Sequence, residues 1–213
     1  MSAISTKNYG MNAAELINRI KEHDILTYLH SMRVGDASYE LAKLQGLSER
    51  MCDKARCAGY LHDIGKIKVP EYLLDPDYIY TKEDMEKMKA HPLLSYAILE
   101  EAGCYDKDIL MGVMQHHETI DGKGYPLKSK ADSIGIIGLI LGAVDKVDAA
   151  MARHSGHGIR SFTNAINDVC CNNGNQIKKE YLAIILKNSM IFEPIFTRYD
   201  LVEFPTFIEC EVC

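Results

Sequence analysis

An apolar run, IGIIGLILGAV at positions 134–144, constrains the fold of this chain more than any other feature. The run is too short to cross a bilayer, so it predicts a helix buried in a protein core. A chain of 213 residues is long enough to build one sizeable core around such a helix. The run leads directly into Asp145, and a buried carboxylate is very costly without a partner. The sequence therefore predicts a buried charge that another group must neutralise.

Apolar residues recur at helical spacing along most of the chain, which predicts an all-α fold. Residues 12–30 and 33–45 carry this pattern, Gly46 can end the second helix, and Ser48 can cap a helix that reaches about Asp63. Gly65 can then break that helix. Further helices are expected near residues 81–88, 92–102, 106–116, 133–153, 160–171 and 178–189, with 118–132 as a loop.

Residues 191–213 are rich in β-branched and aromatic side chains, which predicts one or two short strands or extended chain. The sequence has no internal repeat and no convincing linker. We therefore expect a single domain over residues 1–213: a helical bundle with its core at about 12–190 and an irregular C-terminal extension at 191–213.

The net charge limits the kinds of molecule that this chain is expected to bind, and the cysteine content indicates its cellular compartment. The formal charge of −6 argues against a general nucleic-acid surface but permits a small anionic ligand at a local positive site. Seven cysteines without framework spacing, and an N-terminus without a secretory pattern, predict a reduced, cytoplasmic protein that is not in a membrane. The lone C-x-x-C of Cys210 and Cys213 is a weak metal signal.

Several histidines occur where a metal ligand would be useful. One stands beside Asp63, one precedes a proline at a helix start, and two end a helix. Together with two aspartates they form a set suited to Fe, Mn or Zn: His30, His62, Asp63, His91, His116, His117 and Asp145.

The adjacent pair His62–Asp63 is explained if both side chains turn inward at a helix end. Asp63 has two oxygens and can bridge two ions, while His62 binds one. Two divalent ions and two carboxylates leave a charge of about +2, which favours a hydroxide and a phosphate. This is the charge logic of two-metal phosphoester hydrolysis.

The motifs resemble a known family. "LHDIGK" (61–66) and "HHETIDGKGYP" (116–126), with "HSMRV" (30–34), "AHPLLSYAIL" (90–99) and "AVDKVDA" (143–149), resemble the HD-GYP subgroup of HD-domain metal-dependent phosphohydrolases over roughly residues 28–190. The resemblance implies an all-α HD bundle that hydrolyses cyclic di-GMP with two or three Fe or Mn ions.

The resemblance also implies roles for individual residues. One ion would be held by His30, His62, Asp63 and Asp145, and the other by Asp63, His91, His116 and His117. Leu26 stands where a three-metal subset has a glutamate, so two ions are expected, with Zn or Ni as alternatives to Fe or Mn.

Substrate contacts follow from the same likeness. Asp63 and Lys66 would be catalytic, with Lys66 on a phosphate, and Gly124, Tyr125 and Pro126 would contact substrate. The alternative for Lys66 is a solvated lysine at a helix end. The alternative for the loop of residues 121–126 is a rigid surface turn with a structural tyrosine. Glu118 and Asp121 are expected to fix the loop.

The chain departs from the family after Asp145. An Arg-Pro-Tyr-Arg-Lys run is replaced by "MARHSGHGIRSF" (151–162), where Arg153 is the candidate substrate contact, and Lys146 replaces an apolar or small residue. The expected partner is therefore a cyclic dinucleotide or another nucleotide, with no nucleic-acid duplex and a possible homo-oligomer. A phosphohydrolase of another nucleotide or phosphomonoester, or a weakly active nucleotide-sensing module, remains the alternative.

Overall fold

The protein is a bundle of helices. The structure, a computed structural model, describes residues 12–104, 106–152 and 161–198. No strand occurs among the described residues, and the predicted all-α class is confirmed. The α-helices are α1 (Ala13–His23), α2 (Ile25–Leu44), α3 (Glu49–Leu61), α4 (Lys82–Met88), α5 (His91–Glu101), α6 (Lys107–Gln115), α7 (Ile136–Ala152), α8 (Phe162–Asn173), α9 (Lys179–Lys187) and α10 (Ser189–Phe196). Short 3-10 helices cover Ile64–Lys68, Glu71–Leu73 and Ala131–Ser133.

Helix α7, which contains most of the long apolar run, lies inside the bundle. It packs against α2, α3, α6 and α8, and Leu141, Val144 and Val147 on it are fully buried. Burial of each such side chain contributes about 1.5–3 kcal/mol to folding. The predicted buried helix is therefore present, and it delivers Asp145 to the centre of the protein.

Helices α2 and α3 cross closely because each has a glycine at the crossing. A Cβ atom on Gly59 would lie 2.6 Å from Cα of Gly35, and one on Gly35 would overlap the ring of Tyr60. The two backbones touch there, so the crossing tolerates no larger residue. This approach brings the histidine of α2 towards the histidine at the end of α3.

Local capping signals explain several helix starts. The side chains of Ser48 and Asp106 accept hydrogen bonds from backbone N–H groups of the first turns of α3 and α6. Thr81 and Asp84 form a reciprocal capping box at the start of α4. Pro92 occupies the first turn of α5, where its missing N–H is not needed.

Two expected elements differ from the structure. The helix predicted over residues 12–30 is broken at Asp24, which ends α1 and whose carboxylate caps α2 through the N–H of Thr27. Residues 189–196 form helix α10 instead of a strand, because Phe192 and Phe196, four residues apart, are both fully buried. Residues 199–213 of the predicted extension, including Cys210 and Cys213, lie outside the described residues.

The structure also bears on the expectations for thiols and membranes. Of the five cysteines in the described ranges, three are buried and two, Cys170 and Cys171, are exposed. No helix in the described part of the chain is long and apolar enough to cross a bilayer.

Candidate metal centre

The structure brings together all seven residues that the sequence singled out as metal ligands. His30 comes from the side of α2 and Asp145 from the side of α7, whereas the others stand at helix ends. His62 follows the last residue of α3, His91 is the first residue of α5, and His116 follows the last residue of α6. Five helices therefore supply one cluster.

The ligand atoms form two groups that could each hold a metal ion. One group contains His30, His62 and Asp63, and the other contains His91, His116 and His117. Within each group, the ligand atoms lie within 4.8 Å of one another.

Two carboxylates connect these groups. The Oδ1 atom of Asp63 lies 3.2 Å from Nε2 of His91, and its Oδ2 atom lies 3.4 Å from Nε2 of His62. Asp145 likewise has Oδ1 3.2 Å from Nε2 of His30 and Oδ2 3.8 Å from Nδ1 of His117. The sequence suggested a spanning position for Asp63 only, so the second spanning carboxylate is a finding of the structure.

The inward turn of both His62 and Asp63 depends on the chain path after α3. Ser95 of α5 donates a hydrogen bond to the carbonyl of His62 at 2.7 Å and accepts one from the N–H of Gly65 at 2.8 Å. A Cβ atom on Gly65 would lie only 2.2 Å from the carbonyl oxygen of His91. The expectation that Gly65 breaks the helix is wrong, since α3 ends at Leu61; this glycine allows α5 to approach the turn.

Three histidine rings are oriented by backbone carbonyls. The Nδ1 atoms of His62, His91 and His116 lie 2.7, 2.7 and 2.6 Å from the carbonyl oxygens of Gly59, Met88 and Val113. A carbonyl oxygen only accepts hydrogen bonds, so each Nδ1 must carry the proton.

This orientation leaves the Nε2 atom of each neutral ring without a proton, so that its lone pair points into the cluster. The Nε2 atoms of His91 and His116 nevertheless lie 3.1 Å apart. Two lone pairs at this distance repel unless a cation or a proton lies between them. The donor set therefore fits a transition-metal ion, and the carbonyl contacts are those expected around metal-bound imidazoles.

Burial keeps most of these imidazoles neutral. It lowers the pKa of His91 to about 4, that of His117 to about 3, and that of His116 well below its ordinary value. His30 differs: burial acts to lower its pKa, but hydrogen bonds with Asp145 and Asp148 outweigh burial and raise the pKa to about 9. Neutral imidazole is the form that binds a metal.

Sequence reasoning missed two residues behind His30. Asp148 accepts from Nδ1 of His30 at 2.8 Å, and Arg33 donates two hydrogen bonds to the same carboxylate at 2.6 and 2.9 Å. Asp148 lies three residues after Asp145 in the same apolar helix, and Arg33 lies three residues after His30. A second carboxylate in a buried helix was the signal that could have revealed this arrangement.

Lys66 stands at the edge of the cluster. Its Nζ atom lies 2.6 Å from Oδ2 of Asp63. Burial acts to lower the pKa of Lys66, but the adjacent Asp63 carboxylate prevails and raises it. Lys66 is therefore a charged, partly buried group, and the alternative of a solvated lysine at a helix end does not fit this position.

The loop after α6 covers the second group. The carboxylate of Glu118 accepts hydrogen bonds from the N–H groups of Leu127 and Ser129 at 2.5 and 2.8 Å. A Cβ atom on Gly124 would lie 2.5 Å from the backbone of residues 117–119. The Tyr125 ring packs against His117 in a tilted arrangement, with centroids 4.8 Å apart and planes at 32°. Pro126 follows a cis peptide bond.

These contacts give the loop residues different positions relative to the cluster. Asp121 binds Thr119 and the N–H of Lys123 inside the loop, away from the metal-ligand atoms. Of the candidate substrate contacts, Gly124 packs against backbone and Tyr125 contacts a candidate ligand. Arg153 lies outside the described residues.

A cavity of about 270 Å³ opens beside the cluster. Asp63, Lys66, His117 and Asp145 line one side, and Lys146 of α7 continues the wall. Residues of α8, among them Asp168 and Asn173, line the other side. This volume is near the lower end for ligand sites and would seat part of a nucleotide ligand.

Comparison with known proteins agrees with the motifs. A family model for the HD domain matches residues 15–177. A cyclic di-GMP phosphodiesterase of Thermotoga maritima is 31% identical over 186 residues, which are 86% of this chain and 50% of that protein. A 3'3'-cGAMP-specific phosphodiesterase of Vibrio cholerae is 32% identical over 66% of this chain and 27% of its own length. The chain thus spans half or less of these relatives.

A solved structure has a similar fold. The HD domain of the phosphodiesterase PgpH from L. monocytogenes, determined in complex with cyclic-di-AMP, superposes with a TM-score of 0.60 at 20% identity. The match covers 89% of this chain and all of that domain. The resemblance seen in the motifs is confirmed, and the chain belongs to the HD-domain family.

Proposed function

We propose that this chain hydrolyses a phosphodiester bond of a cyclic dinucleotide, with cyclic di-GMP as the first candidate. The observation that carries the proposal is the pair of ligand groups spanned by two carboxylates and open to a cavity. A single structural metal site would need four ligands, a closed shell and no adjoining cavity. Seven ligands beside a cavity favour catalysis over a structural role.

Two divalent transition-metal ions are the cofactors we assign to this cluster. His30, His62, Asp63 and Asp145 would hold the first ion, and Asp63, His91, His116 and His117 the second. Fe or Mn suits this mixture of imidazole and carboxylate best, and Zn or Ni suits it as well. Such a pair, when bound, would lower the pKa of a water molecule and neutralise phosphate oxygens.

The protein's own groups would position and stabilise the substrate. Lys66 would exchange its contact with Asp63 for a phosphate oxygen and stabilise the charge that develops there. The ring of Tyr125, which packs against His117, would form with Gly124 and Pro126 the wall that meets a base or ribose. Asp63 and Asp145 would hold the two halves of the site at a constant separation, which keeps the phosphate in line for attack.

The names of the relatives support the substrate class. They include phosphodiesterases of cyclic di-GMP and of 3'3'-cGAMP, and the similar HD domain of L. monocytogenes was determined with cyclic-di-AMP. The alternative is hydrolysis of another nucleotide or a phosphomonoester, or nucleotide sensing with little turnover. Homo-oligomerisation stays a prediction.

The test begins with anaerobic purification and metal analysis, followed by reconstitution with Mn or Fe. Turnover is then measured with cyclic di-GMP, 3'3'-cGAMP, cyclic di-AMP, bis(4-nitrophenyl) phosphate and 4-nitrophenyl phosphate. We expect about two ions per chain and the highest kcat/KM with cyclic di-GMP.

Two results would contradict the proposal. Turnover of the phosphomonoester alone would identify a phosphatase, and tight binding of cyclic di-GMP without product in a fully metallated sample would identify a sensor. The variant His62→Ala serves as the inactive reference in each assay.

A further inference from the structure

Lys146 is a cationic residue beside the metal cluster, but it is not one of the candidate ligands. It follows Asp145 on α7, is partly buried, and lines the cavity that also contains Lys66. Within the described ranges, no carboxylate lies within ion-pair distance of its ammonium group. A cationic side chain that lines a cavity and has no carboxylate partner favours an anion in the adjoining space.

Lys146 adds to a positive field on this side of the cluster. Lys146 and Lys66 both line the cavity, beside the carboxylates of Asp63 and Asp145. Two divalent ions held by those carboxylates would make the field more positive. An anionic ligand in the cavity would offset part of that positive charge.

The cavity extends beyond the atoms that would hold a reacting phosphate. It runs from Asp63 and His117 past Lys146 to Asp168 and Asn173 on α8. The α8 groups already bond to neighbours: Asp168 accepts from Asn172, and Asn173 donates to Gln176. Among the described residues that line the cavity, Lys66 and Lys146 are the cations, and Lys146 is the one that does not contact a candidate metal ligand through an ion pair.

We propose that Lys146 binds the second phosphate of a two-phosphate substrate, the one that is not cleaved. This inference rests on the proposed function, because a cyclic dinucleotide carries two phosphodiesters and only one can occupy the cluster at a time. Lys66 would serve the phosphate under attack, and Lys146 the other. Lys146 thus selects a cyclic dinucleotide over a substrate with a single phosphate.

The variant Lys146→Met keeps the length of the side chain and removes its charge. We expect its KM for cyclic di-GMP to rise by about tenfold, equivalent to about 1.4 kcal/mol. The KM for bis(4-nitrophenyl) phosphate, which has one phosphate, should change by less than about threefold. The variant Lys146→Arg keeps the positive charge, and its KM for cyclic di-GMP should lie within about threefold of that of the original protein.

Three further measurements separate this role from a structural one. Metal content should match that of the original protein, and the thermal midpoint should not fall. The dependence of KM for cyclic di-GMP on ionic strength should become shallower, because one charge–charge contact is lost. The matched control is Lys187→Met on the exposed side of α9, which should leave every parameter unchanged.

Failure of the inference and failure of the proposed function are distinguishable. If the original protein hydrolyses cyclic di-GMP and Lys146→Met has the same KM for it as Lys187→Met, the inference alone is overturned. Equal losses for both substrates would also overturn it, since they indicate a disturbed cluster. If the original protein cleaves the aryl diester but no cyclic dinucleotide, the proposed function fails and this inference fails with it.

Discussion

Both ligand groups are rich in imidazole, yet their surroundings differ. In the group of His91, His116 and His117, the first two rings are held by backbone carbonyls at helix ends. In the group of His30, His62 and Asp63, the His30 ring is held by a buried carboxylate, Asp148. The pKa of His91 is lowered to about 4 by burial, whereas hydrogen bonds with two aspartates raise that of His30 to about 9.

The two groups therefore depend on different parts of the fold. The His91 group needs α4 and α6 to end, and α5 to begin, at the observed residues, since the two carbonyls belong to Met88 of α4 and Val113 of α6. The His30 group needs two successive hydrogen-bonded contacts between side chains: Arg33 binds Asp148, and Asp148 binds the His30 ring. Asp63 contacts both groups, so it couples two sites that are otherwise supported separately.

The largest expected effect follows from removing that coupling. Asp63→Asn deletes the negative charge shared by both groups, and we expect loss of both ions and a fall in turnover of at least about three orders of magnitude. Metal analysis and kinetics with cyclic di-GMP would measure this. Asp53→Asn, which changes a partly exposed carboxylate on the preceding helix α3, is the control and should be unchanged. Full activity of Asp63→Asn would refute the assignment of the site.

Removal of one histidine from each group is expected to have a smaller, selective effect. His91→Ala should lower the metal content from about two ions to about one and leave the His30 group loaded, and His30→Ala should do the reverse. Electron paramagnetic resonance of the Mn-loaded variants would show an isolated ion in place of a coupled pair. If either variant lost both ions, the two groups would not be separately supported.

Asp148→Asn tests the support of the His30 group alone. The amide cannot hold the ring as strongly, and we expect the ion in this group to bind about 10–100-fold more weakly. The affinity of the His91 group should not change. Metal titration would resolve the two affinities, with Asp132→Asn on an exposed turn as the control. Equal weakening of both ions would show that Asp148 supports the cluster as a whole.

The smallest predicted effect is a gradual dependence of the free energy of unfolding on pH, measured after a chelator has removed the metal ions. His91 and His117 have pKa values of about 4 and about 3, so the unfolded chain binds more protons below pH 6.5. The free energy of unfolding should therefore fall as pH is lowered from about 6.5 to 4.

His30 does not oppose this trend. Its raised pKa gives stability that is fully present below 6.5 and is lost only as pH rises towards 9. Urea unfolding at several pH values measures the slope. The double variant His91→Ala, His117→Ala should show a flatter profile, and an unchanged profile would refute this explanation.

Much of the fold was readable from local signals. Helix starts at Ser48, Thr81 and Asp106 carry capping residues, and the buried helix α7 follows from its uninterrupted apolar run. Segments without such signals were less predictable. The break at Asp24 interrupts a continuous apolar pattern, and α10 is built from residues that favour strands but bury Phe192 and Phe196 on one side.

Residue type and helix-end signals are local properties, and they were enough to predict the all-α class, the seven candidate ligands and a spanning role for Asp63. The packing of the helices was needed to show that Asp145 also spans both groups, that Asp148 and Arg33 support His30, and that Lys146 shares a cavity with Lys66. These facts depend on how α2, α7 and α8 cross, and crossing is set by contacts between residues far apart in the chain. Spacing along one helix carries no information about which oxygen faces which neighbour.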